Sequence, residues 1–114
     1  MVDVVGILRS AAEQGHVSAQ YNLGVVFAEG KGVKQDNGEA VRWYLEAAEQ
    51  GHVNAQQNLV VLYADGNGVK QDFDEAVRWM RKAAEQGHDQ AQFSLGLMYA
   101  NGLGVKQDSA GAVK

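Results

Sequence analysis

Apolar residues recur along the chain at helical spacing. Ala55, Leu59, Leu62 and Tyr63 fall at i, i+4, i+7 and i+8, which predicts a helix over about 53–64, here named helix A. The segment DGNGVKQD follows, with Gly66 placed where a left-handed C-terminal cap is needed. A second stripe of Ala76, Trp79, Met80, Ala83 and Ala84 predicts helix B, whose solvated side carries Glu75, Arg78, Arg81, Lys82 and Glu85. Asp72 reads as its N-cap, with Glu75 three residues on to complete a capping box, and Asp36 and Glu39 repeat the device. Gly15, Gly51 and Gly87 stop successive B helices. The brief QGH link leaves room only for a tight turn, so neighbouring helices run antiparallel.

This A and B pattern is repeated with a 36-residue period, as units 11–46, 47–82 and a shortened 83–114. A fixed period in this range signals one supersecondary unit stacked on itself, so the expected fold is an all-α solenoid of antiparallel helix pairs forming one domain. Aligning Val5 with Val41 and Val77 makes residues 1–10 a half unit, the start of a helix B, with Gly6 and Ile7 at the Arg42 and Trp43 positions. The third unit stops inside helix B, so the chain reads as an excerpt. Its two unmatched ends are expected to attract one another head to tail between copies.

Composition narrows the function. The 46% hydrophobic content rests on Ala and Val, suited to close helix packing, and no Pro interrupts it. A net charge of −4 with dispersed basic residues argues against nucleic acid as the main partner. No apolar stretch approaches a membrane span, so membrane insertion is not expected. Absence of cysteine excludes disulfides and thiol chemistry but places the protein in no compartment.

The pattern A-x-x-x-L-G-x-x-Y/F-x-x-G-x-G-V-x-x-D-x-x-x-A-V-x-W-Y/M followed by AAEQG resembles the Sel-one-like repeat, a relative of the tetratricopeptide repeat with a longer connection between its helices. The resemblance covers residues 11–114. It implies a right-handed α/α superhelix acting as an adaptor or scaffold, in bacterial secreted or periplasmic proteins and in eukaryotic quality-control complexes, without catalysis or cofactor. Two positions depart from the pattern. Val60 replaces the glycine seen at Gly24 and Gly96, which predicts wider local helix spacing, and Gly111 stands where Glu39 and Glu75 complete the capping box.

His16, His52 and His88 invite a metal hypothesis. Equivalent positions lie a helix layer apart, roughly 8 to 10 Å, and one ion with bonds of about 2 Å cannot collect them. They read instead as residues that cap or shield the start of helix A. The G-x-G-V-K segments at Gly30, Gly66 and Gly102 lack what a dinucleotide fingerprint or phosphate loop requires. Their glycines serve caps and reversals, with Val33, Val69 and Val105 tucked beneath. Asp36, Glu39, Asp72 and Glu75 are committed to caps, while Glu13, Glu49 and Glu85 lie on the outer side of helix B, so no sheltered carboxylate pair is expected. Trp43 and Trp79 read as core between units.

The exposed side of helix A remains, expected to line the concave surface. Its stripe is Ser18, Tyr21, Asn22, Val25 and Glu29, then Asn54, Gln57, Asn58, Val61 and Asp65, then Gln90, Phe93, Ser94, Leu97 and Asn101. These positions vary between units while Leu23, Leu59 and Leu95 do not, so the scaffold does not fix them. The mixture of aromatics, amides and carboxylates suits a peptide or protein partner, neutral or basic given Glu29 and Asp65. The alternative function is structural, a self-assembling solenoid segment.

Overall fold

A computed structural model describes residues 3–87 and residue 92. Among the described residues lie five helices and no strand: α1 (Val4–Glu13), α2 (Val17–Glu29), α3 (Asn37–Glu49), α4 (Val53–Asp65) and α5 (Phe73–Glu85). Each packs on its neighbours in sequence, giving an α-solenoid in which α2 and α4 are A helices and α1, α3 and α5 are B helices. The third A helix and the C-terminal end invoked for head-to-tail contact lie outside the described residues. At the N-terminal end, Val4 and Ile7 of α1 are 61% and 59% exposed, whereas Trp43, at the position equivalent to Ile7, is 4% exposed.

The predicted stripes face the core. Ala55, Leu59, Ala76, Trp79 and Ala83 are fully buried, joined by Val60, Val77 and Met80. Each A helix ends on a left-handed glycine, Gly30 at φ 70° and Gly66 at φ 68°. A second glycine then turns the chain against the preceding unit. A Cβ on Gly68, at φ 80°, would lie 2.5 Å from the Asn37 carbonyl carbon, and the Asn37 amide donates to Asn67 Oδ1 at 2.8 Å across this junction. Val33 and Val69 pack beneath the loops as expected.

The capping boxes are only half formed. Asp36 and Asp72 Oδ1 accept from the backbone N–H of Glu39 and Glu75, both at 3.1 Å. The reciprocal bond is absent because the Asp36 and Asp72 N–H groups already donate to the Phe27 and Tyr63 carbonyls at 2.9 Å. The loop closes back onto helix A and removes the orphan donor that a glutamate would serve. Glu39 and Glu75 instead pair with Arg42 and Arg78, at 3.5 and 3.3 Å.

A polar clasp unforeseen in the sequence ties the layers together. Gln20 and Gln56, 3% and 2% exposed, are the buried polar residues of the described core. Gln20 Nε2 donates to the Ala12 carbonyl of α1 at 3.1 Å, and its Oε1 accepts from Gln50 Nε2 beyond α3 at 2.7 Å. Gln56 repeats this with Ala48 and Gln86, each at 3.0 Å, and Gln92 Nε2 reaches the Ala84 carbonyl at 2.9 Å. The Gln20 and Gln56 amides each span three successive helices with both polar ends engaged, which makes their burial tolerable.

Candidate partner-binding face

The variable stripe lies along α2 and α4. Ser18, Asn22, Glu29, Asn54, Val61 and Asp65 are exposed, and Tyr21, Val25, Gln57 and Asn58 are half-buried. Gln90, Phe93, Ser94, Leu97 and Asn101 lie outside the described residues. Val61 is 57% exposed, an apolar side chain left open to solvent.

Aromatic rings gather on this face. Tyr21 stacks on His52 with centroids 4.5 Å apart and contacts Tyr44 at 5.8 Å. The cluster joins α2, α3 and the entry to α4, so it forms only when successive units stack. Tyr44, 3% exposed, is helix B core that underlies Tyr21. Burial pushes its hydroxyl up to about 12, with Tyr21 and Glu29 adding to the effect and a hydrogen bond from Asn58 opposing it. Gln57 Oε1 is buried without a hydrogen-bond partner.

His52 supplies the cap that the sequence suggested, its Nδ1 accepting from the Ala55 N–H at 3.1 Å. His16 occupies the same N-cap position without a side-chain bond. Burial lowers the pKa of His52 below the ordinary value of about 6.5. Above that value folded and unfolded chains both hold neutral imidazole and the cap is intact. Below it the unfolded chain takes up the proton first, so stability falls as pH drops toward the folded-state pKa. Urea midpoints of the wild type should therefore decline from pH 7.5 to about 5, and His52→Asn, which caps without titrating, should decline less. Identical pH profiles would remove the titration of His52 as a cause.

On the helix B side two equivalent clefts open, one of about 350 Å³ over Trp43, Gln20 and Arg42, the other of about 420 Å³ over Trp79, Gln56 and Arg78. Most of the residues that shape them recur in both units, but Glu46 lines one cleft where Lys82 lines the other.

The Sel1 repeat model matches residues 17–52, 53–88 and 89–114, keeping the 36-residue period but cutting it ahead of helix A. No curated protein matches the chain. Among solved structures, a protective antigen of uropathogenic Escherichia coli strains with an SLR fold is 51% identical, with a TM-score of 0.84, over 92% of this chain and 22% of its own. A Sel1 repeat protein from Oxalobacter formigenes is 41% identical, with a TM-score of 0.89, over 96% of this chain and 45% of its own. The chain thus spans less than half the length of either. Helicobacter pylori cysteine rich protein B, 24% identical with a TM-score of 0.65 over 96% of this chain and 84% of its own, shares the fold. With the repeat signature matched from residue 17 to the end, and the helix pairs stacked as in these structures, the chain belongs to the Sel1 repeat family.

Proposed function

We propose that the protein is an interaction scaffold that takes a peptide or protein partner on the A-helix face, along Tyr21, Asn22, Val25, Asn54, Asn58 and Val61. Sel1 repeat proteins are generally protein-interaction scaffolds and typically non-enzymatic. The observation that carries the reading is within-chain variation. Ser18, Tyr21 and Glu29 give way to Asn54, Gln57 and Asp65 in the next unit, and all five stripe positions have changed by the third, while Leu23 and Leu59 beneath are unchanged and fully buried. The half-buried Tyr21, beside exposed amides and Val61, provides an anchor already held by its contacts with His52 and Tyr44, which lowers the ordering cost of binding.

The test compares two faces. Peptides selected from an immobilised library should bind about tenfold more weakly to Asn22→Ala/Val61→Ala, as expected for anchor contacts. Glu13→Ala/Glu49→Ala, on the helix B side, should bind like the wild type. Undiminished binding by the first variant at unchanged helicity would remove the face assignment.

A further inference from the structure

Resting on that assignment, we propose that the A-helix face takes an extended basic segment, with two cationic side chains three residues apart that meet Glu29 and Asp65. The described A helices carry no cation: neither α2 nor α4 contains Lys or Arg, whereas Arg9, Arg42, Arg78, Arg81 and Lys82 all stand on B helices. Glu29 and Asp65 are each the last residue of an A helix and both are exposed. The negative ends of two helix dipoles therefore coincide with two carboxylates along one rim of the face.

Internal competition for these carboxylates is slight. Lys31 lies 3.2 Å from Glu29, but the two side chains are 64% and 53% exposed, and such pairs are weak and screened by salt. Asn67 occupies the position of Lys31 in the next unit, and among the described residues no ion pair engages Asp65. On the same face lie the exposed Val61 and the half-buried ring of Tyr21, a setting in which the stem of a lysine or arginine packs while its charge meets a carboxylate.

Successive A helices are about one helix diameter apart, roughly 10 Å. A polyproline II segment rises about 3.1 Å per residue with three residues per turn, so residues i and i+3 share one side about 9 Å apart. That repeat matches the layer spacing. The net charge of −4 further favours encounter with a basic segment.

Fluorescence anisotropy with acetylated, amidated decapeptides tests the idea on the full chain. A peptide with a Lys-Ala-Ala-Lys centre should bind more tightly than its Gln-Ala-Ala-Gln and Glu-Ala-Ala-Glu counterparts and should weaken as salt rises. Asp65→Asn should reduce its affinity about two- to fivefold, and Glu29→Gln/Asp65→Asn about tenfold, as for one and two exposed ion pairs. Equal binding of the glutamine peptide, or no binding of the lysine peptide at millimolar concentration, would overturn the basic partner. Peptides weakened by Asn22→Ala/Val61→Ala yet indifferent to Glu29→Gln/Asp65→Asn would preserve the face while refuting its charge preference. Peptides weakened only by Glu13→Ala/Glu49→Ala would overturn both.

Discussion

Trp79→Ala is expected to destabilise the protein by about 3 to 5 kcal/mol, the range for truncating a buried aromatic. Trp79 is the largest fully buried side chain, at 0% exposure, and belongs to the same core as Ala47, Ala55 and Ala83. The Arg78 guanidinium, 4.6 Å from the ring centroid, loses the face it rests on. One feature of the site moderates the loss for a second variant. The indole Nε1 of Trp79 is buried without a hydrogen-bond partner, as is that of Trp43, and an unmet donor is a cost in the wild type. Trp79→Phe should therefore lose only about 1 kcal/mol, since it keeps most of the ring and removes the unmet N–H. Urea unfolding followed by far-UV circular dichroism measures both. Near-equal midpoints for Trp79→Ala and the wild type would contradict the stacking of units around this ring.

The helices, their glycine stops and most of their buried positions were legible because each rests on local spacing. A 3.6-residue period fixes the face of Leu59 or Trp79, and a glycine after the last apolar turn fixes the stop, without knowledge of any other unit. What was not legible depends on contacts between units. Gln56 is polar and its position reads as surface until the Ala48 carbonyl and the Gln86 amide are brought to its two ends. The repetition of Gln20, Gln56 and Gln92 at one position, with Gln14, Gln50 and Gln86 at another, was the available signal. Glu75 has the spacing of a capping box but is released from it because the loop returns the Asp72 N–H to Tyr63. On the candidate face, the stripe on α2 and α4 followed from helical spacing, whereas the inclusion of Tyr44 and His52 required the packing of three helices.

Gly24→Val should destabilise the first full unit by about 2 to 3 kcal/mol, and adding Tyr44→Met should recover most of that loss. A Cβ on Gly24 would lie 2.6 Å from Tyr44 Cε1 and 2.7 Å from Cδ1, so a side chain there must displace a buried ring. The ring cannot yield easily, being buried at 3% exposure and packed beside Tyr21. The following unit solves the same packing problem with a different pair. Val60 takes the glycine position at 7% exposure and Met80 takes the tyrosine position at 5%, both in the common core. An unbranched thioether can bend around the valine where a rigid phenol cannot, so the added bulk is accommodated by its neighbour rather than by wider helix spacing alone. The energetic consequence is coupling. Each single change in the first unit should be unfavourable, and the double variant should be more stable than their sum predicts by at least about 1 kcal/mol. Urea midpoints of the wild type, both single variants and the double variant close the cycle. Additive losses would mean that the two positions do not interact and that Val60 is tolerated by relaxation elsewhere.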